Sequence, residues 1–153
     1  MNSRARRSII VVEDSEEDYK ALQWASKAAS IEMPLVRCES GEEGIECLHG
    51  RGKYKGAFLQ PGLVLLDLNL PRMSGKEVLR YIKTCDQLKS LPVVIFSSSA
   101  HSKDVSECYR DGASSYIVKP LGLTQLSELM KTLTQYWFQT VEPAPEVETW
   151  KQH

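Results

Sequence analysis

The run Leu63-Val64-Leu65-Leu66, closing on Asp67, constrains the fold of this chain more than any other feature. Continuous apolar sequence of this length is what a parallel strand buried on both faces requires. The loop Leu68-Asn69-Leu70-Pro71 follows and cannot continue the strand. A charge at the carboxyl end of such a strand lies where open α/β sheets bind their ligands. An aspartate held there is exposed enough to react and fixed enough to be aimed.

Four other short runs read as strands: Ile9–Val12, Leu35–Cys38, Val93–Phe96 and Ser115–Val118. A helical signal follows each strand. Ser15 caps a helix predicted to run through Ala29, and Ser40-x-x-Glu43 and Ser74-x-x-Glu77 are capping boxes. Ser102 is expected to cap a fourth helix that Gly112 stops. Leu123, Leu126, Leu129, Met130, Leu133 and Trp137 form the apolar stripe of a fifth. Five β-α units imply a parallel sheet covered on both faces. Right-handed crossovers favour the strand order 2-1-3-4-5 at this size. Outside the repeat lie a glycine-rich connection over residues 49–62 and a polar tail with Pro143, Pro145, Glu142, Glu146 and Glu148.

With 153 residues, 42% hydrophobic and 25% charged, the chain suits one globular domain with a substantial core. A net charge of -1 gives no reason to expect a nucleic-acid or membrane surface. Arg4, Arg6 and Arg7 precede an apolar run of only Ile9–Val12, too short for an export signal. No stretch approaches a transmembrane span. Cys38, Cys47, Cys85 and Cys108 form no C-x-x-C pair. This argues against zinc or a redox dithiol and fits a reducing cytoplasm. His49, His101 and His153 show no ligand spacing and are assigned to the surface.

The acidic residues converge. Glu13 and Asp14 follow the first strand and Asp67 closes the third, its neighbour in the expected order. Like charges packed together raise one another's pKa, and a hard divalent cation with oxygen ligands resolves the conflict. Ser97 follows Phe96 at the end of the fourth strand, and Lys119 follows the fifth. A nucleophilic carboxylate, a metal, an ammonium and a hydroxyl together suit phosphoryl transfer.

These residues resemble the receiver domain of two-component response regulators. The matching segments are Val12-Glu13-Asp14-Ser15, Leu65-Leu66-Asp67-Leu68-Asn69-Leu70-Pro71, Ser74-Gly75, Ile95-Phe96-Ser97-Ser98, Gly112-Ala113 and Tyr116-Ile117-Val118-Lys119-Pro120. The resemblance implies a flavodoxin-like (βα)5 fold over residues 1–138, with 139–153 as an acidic, proline-containing tail. It further implies a phosphoacceptor, not an enzyme in the ordinary sense. Asp67 would accept a phosphoryl group from a histidine kinase. Glu13, Asp14, Asp67 and the backbone carbonyl of Asn69 would bind Mg²⁺, for which Mn²⁺ or Ca²⁺ can substitute. Lys119 would pair with the phosphoryl oxygens. Ser97 would be the switch hydroxyl and Tyr116 the switch aromatic. Lys119–Pro120 would be a cis peptide.

A narrower resemblance rests on Tyr136-Trp137-Phe138-Gln139-Thr140-Val141 and on the lengthened 49–62 connection. Both are similar to the small response regulators that partner bacterial and cyanobacterial phytochromes. That implies a red-light kinase as partner, a downstream protein or phosphotransfer partner, and no output module. It also implies a homodimer through the fourth helix, fifth strand and fifth helix, with Trp137 and Phe138 either extending that face or finishing the monomer core. Two alternatives stand beside it. A haloacid-dehalogenase-like phosphatase needs D-x-D-x-[TV] after the first strand, whereas this chain has Asp67-Leu68-Asn69 after the third. A phosphorylation-independent adaptor would keep the fold without the chemistry, but Glu13, Asp14, Asp67, Ser97 and Lys119 are all in place.

Overall fold

A computed structural model describes residues 7–57 and 59–145. Arg4, Arg6, Glu146, Glu148 and His153 lie outside them. The strands are Ser8–Val12 (β1), Leu35–Cys38 (β2), Pro61–Leu66 (β3), Val93–Ser97 (β4) and Ser115–Val118 (β5). All pair in parallel in the order β2-β1-β3-β4-β5. The helices are Glu16–Ala28 (α1), Gly41–His49 (α2), Gly75–Thr84 (α3), Ser102–Arg110 (α4) and Leu123–Gln135 (α5). This is the doubly wound flavodoxin-like architecture expected from the sequence.

The central strands divide their side chains between two cores, as the period of two dictates. Ile9, Val11, Leu63, Leu65, Val94 and Phe96 face α1 and α5, meeting Leu22, Ala25, Met130 and Leu133. Ile10, Val12, Val64, Leu66, Val93 and Ile95 face the other layer, meeting Leu48, Val78, Leu79, Ile82 and Cys108. Each fully buried Leu or Ile contributes about 1.5–3 kcal/mol, so β1, β3 and β4 form the rigid centre of the sheet.

Caps follow the sequence in three helices. Ser15, Ser40 and Ser74 accept from the N–H of Asp18, Glu43 and Glu77. The Glu43 carboxylate accepts from the Glu39 N–H, one residue before the cap. The fourth helix differs: Ser102 is its first helical residue, and His101 takes the cap position without a side-chain bond. The helix starts one residue earlier than expected, with the Val105 N–H on the His101 carbonyl, and the Ser99 hydroxyl accepts the His101 N–H at 3.2 Å. Gly112 stops the helix at φ +100, with the Ala113 N–H bonding to the Cys108 carbonyl and the Gly112 N–H to Tyr109.

The end of α5 departs from the expected stripe. Tyr136–Thr140 forms a π-turn in which the Val141 N–H reaches the Tyr136 carbonyl. The wider turn rotates Phe138 inward, onto the space beside Gly62 that a side chain there would fill. Phe138 therefore belongs to the monomer core, with Trp137 packed partly against it and Tyr136 exposed. His49 is likewise not a surface residue. It is buried, with its ring nitrogen 2.8 Å from the Tyr81 hydroxyl. In the 49–62 connection, Gly52–Tyr54 forms a 3-10 turn that buries Tyr54 against Cys38.

Candidate phosphoacceptor site

The site forms where three central strands end together. The Asp67 N–H continues the ladder onto the Val12 carbonyl, and the Glu13 N–H onto Cys38. Asp67 is thus fixed beside Glu13 and Asp14, and one carboxylate oxygen of each lies within 4.8 Å of the others. Glu13 and Asp67 are only 2% and 6% exposed, whereas Asp14 faces solvent. Gly75 is what lets the next helix start here. A Cβ at that position would fall 2.1 Å from the Asp67 carbonyl oxygen, so only glycine permits so close an approach.

Lys119 reaches into this cluster from the end of β5. Its Nζ lies 2.6 Å from Glu13 Oε1, 3.0 Å from Asp67 Oδ2 and 2.7 Å from Asp18 Oδ2. Asp18, in the first turn of α1, carried no sequence signal for this role. Its distance from Lys119 along the chain hides a contact that only the fold creates. Asp67 Oδ1 accepts the Asn69 N–H at 3.2 Å, and Glu13 Oε2 accepts the Ser15 N–H at 3.2 Å. Burial pushes the Glu13 carboxyl above the usual carboxylate range, with Asp67 adding to it and Lys119 opposing it. Burial opposes the Lys119 ammonium too, but Asp18, Glu13 and Asp67 outweigh it and raise its pKa.

Lys119–Pro120 is a trans peptide, contrary to the expectation from the resemblance, and no cis peptide occurs among the described residues. Trans is intrinsically favoured by about 0.5–1 kcal/mol, and Lys119 makes all three carboxylate contacts from it. Ser97 closes β4 fully buried, and its hydroxyl accepts the Ser99 N–H at 3.2 Å. The Lys119 N–H bonds the Ser97 carbonyl at 2.8 Å, which ties the two residues together. The Tyr116 hydroxyl donates to the Ser99 carbonyl at 2.8 Å and so holds the loop after β4.

Three carboxylates, Glu13, Asp18 and Asp67, pair with one ammonium, and Asp14 adds a fourth beside Glu13 and Asp67. The all-oxygen donor set and the surplus negative charge fit a hard divalent cation.

Residues 9–131 match the family model described as "Response regulator receiver domain". The chain belongs to the response regulator receiver domain family. Response regulator Rcp1 of Synechocystis sp. is 33% identical over 139 residues, covering 91% of this chain and 94% of that protein. The phosphorylated cyanobacterial phytochrome response regulator RcpA superposes with a TM-score of 0.83 at 34% identity, covering 92% of this chain and 99% of that one. The Mn²⁺-bound form of Rcp1 gives 0.80 at 32% identity, covering 91% and 99%. Response regulator RPA3017, from red light signaling of R. palustris, gives 0.85 at 30% identity, covering 91% and 99%. The chain is therefore a receiver-domain response regulator related to phytochrome response regulators. Among the described residues, no helix is long and apolar enough to cross a membrane.

Proposed function

We propose that this receiver domain accepts a phosphoryl group on Asp67 from a phytochrome-type histidine kinase and signals in the cytoplasm through a changed binding surface. The observation that carries this reading is the Lys119 ammonium set between Asp67 and two further carboxylates. Glu13, Asp14, Asp67 and the Asn69 carbonyl would hold Mg²⁺, or Mn²⁺ or Ca²⁺ in its place. The cation supplies charge neutralisation for the transferring group. Asp67 forms the new O–P bond as the N–P bond to the kinase imidazole breaks, and the imidazole, protonated on its other ring nitrogen, takes the N–P electron pair and leaves neutral. Lys119 keeps its contact with the reacting end of Asp67 and neutralises the phosphoryl oxygens. Ser97 exchanges the Ser99 N–H for a phosphoryl oxygen, and the loop that Tyr116 holds follows.

The reader of that change is a downstream protein or phosphotransfer partner, with a second copy of the chain on the face of α4, β5 and α5. Tyr109 on α4, Val118 on β5 and Tyr136 at the end of α5 are large exposed side chains, and two-fold pairing is the commonest oligomer. Incubation with acetyl phosphate and Mg²⁺, followed by intact mass, tests the acceptor. Asp67→Asn should lose the phosphoryl adduct, and a Mg²⁺-dependent adduct that survives the substitution refutes the assignment.

A further inference from the structure

We infer that Arg37 is a positioning residue for the acidic pair: its guanidinium grips the backbone of Glu13 and Asp14 from the edge strand and so aims their carboxylates at the cation. This rests on the metal reading of the site given above. Arg37 lies in β2 opposite Val11, one strand away from the residues it serves. Its Nε donates to the Glu13 carbonyl at 3.2 Å and its Nη2 to the Asp14 carbonyl at 3.1 Å. The β1 ladder onto β2 ends with the Glu13 N–H, so both carbonyls need a partner from elsewhere. One planar fork meets both at once, and its donors have a fixed relative geometry that a lysine cannot reproduce.

The guanidinium is itself held. It lies 5.4 Å from the centre of the Tyr19 ring, and Nη1 is 3.3 Å from Glu39 Oε1. Its side chain is 17% exposed, well covered for an arginine on an edge strand. The Arg37 carbonyl in turn accepts from the Tyr54 hydroxyl at 3.4 Å, so the 49–62 connection braces the strand behind it.

Adjacent carbonyls fixed in direction fix the two peptide planes, and with them the Cα–Cβ bonds of Glu13 and Asp14. Mg²⁺ tolerates little departure from octahedral geometry, so aim matters more here than for a looser ion. The guanidinium binds only carbonyls of the pair in this arrangement and takes no oxygen from the carboxylate cluster. Its effect is one of direction, as for other groups that orient metal ligands from behind.

The test is Mn²⁺ binding by isothermal titration, without phosphodonor, to the full chain and to Arg37→Met, Arg37→Lys and Asp14→Ala. Arg37→Met should weaken binding about tenfold, and Arg37→Lys, which keeps the charge but not the fork, at least about threefold. In phosphorylation by acetyl phosphate, half-saturating Mg²⁺ should rise about tenfold in Arg37→Met. The rate at saturating Mg²⁺ should fall far less. A residue that merely secured the edge strand would lower the unfolding temperature and leave the metal constant in place. Mn²⁺ affinity within about twofold of the unaltered chain in a folded Arg37→Met overturns the proposal. If that variant does not fold, Arg37→Lys decides on the same criterion. Absence of Asp14-dependent Mn²⁺ binding in the unaltered chain overturns the metal reading and the role of Arg37 with it. Arg37-dependent metal binding without any phosphoryl adduct leaves the positioning role standing and refutes the phosphoacceptor.

Discussion

The two edges of the sheet are built on different principles. At the β2 edge, Tyr54 is buried against Cys38 and donates to Glu43 at 2.8 Å, Lys53 pairs with the same carboxylate, and Arg37 grips two carbonyls. At the β5 edge, α4 buries Cys108 alone. There the ties are polar: Lys76 to Asp104 at 2.6 Å and Glu107 at 2.7 Å, Ser99 to Asp104 at 2.6 Å, and Tyr116 to the Ser99 carbonyl. Apolar burial is strong and has no alternative partner in water. Ion pairs near the surface each contribute at most about 1 kcal/mol and are readily exchanged. The edge that braces the acidic pair is thus fixed, and the edge that would report a charge at Asp67 is held by contacts that one local change can replace.

The comparison breaks first, and with the largest effect, on a matched pair of truncations. Tyr54→Ala should cost about 3 kcal/mol by urea unfolding, and Cys108→Ala about 1 kcal/mol. Equal losses would mean that the two edges are equally packed. The next effect concerns association. Val118→Asp with Tyr136→Asp should weaken the proposed self-association more than tenfold, about 1.4 kcal/mol or more, in analytical ultracentrifugation. An unchanged sedimentation coefficient would count against the proposed dimer through the α4-β5-α5 side.

A smaller effect sharpens the same contrast. Lys76→Met removes both ion pairs from α4 and should change global stability by less than about 1 kcal/mol. Amide exchange should rise across α4 and stay unaltered in β2; uniform protection in both would contradict the idea of a loosely held edge. The smallest effect is a pH dependence on the β2 side. Burial, aided by Arg51, lowers the His49 pKa in the folded chain. The associated stability is complete above the unfolded value of about 6.5 and is lost as pH falls through the folded one. The raised Glu13 carboxyl acts in the opposite direction and is common to both proteins, so the His49 contribution is the difference in urea midpoint between the unaltered chain and His49→Gln, which should shrink from pH 7.5 towards 5.

What was legible in the sequence was local. Strands buried on both faces reveal themselves as apolar runs, which is why β1, β3 and β4 and the position of Asp67 could be read directly. Ser15, Ser40 and Ser74 act within four residues of themselves and could be read too. The rest depends on contacts that sequence spacing does not encode. Asp18 meets Lys119 across 101 positions, and Arg37 meets Glu13 across 24. The inward turn of Phe138 needs a π-turn whose only rationale is the gap at Gly62, on another strand. Ser102 reads as a cap because the rule is local, but the first helical bond runs from the Val105 N–H to the His101 carbonyl and puts Ser102 inside the helix. The isomer of Lys119–Pro120 was inferred from kinship, and nothing in the residues themselves required it.

The π-turn at the end of α5 also decides where the chain goes next. Val141 is extended, and three residues on the Ala144 carbonyl accepts from Arg7 Nη2 at 3.2 Å. Arg7 precedes the first strand and Ala144 follows the last helix, so the two ends of the described residues touch. A short linker could join them, and the backbone could instead be opened at the exposed Lys55-Gly56 turn. The chain is thus already arranged for circular permutation. Such a rewired molecule would begin and end in the 49–62 connection while keeping every strand pairing and the carboxylate cluster intact.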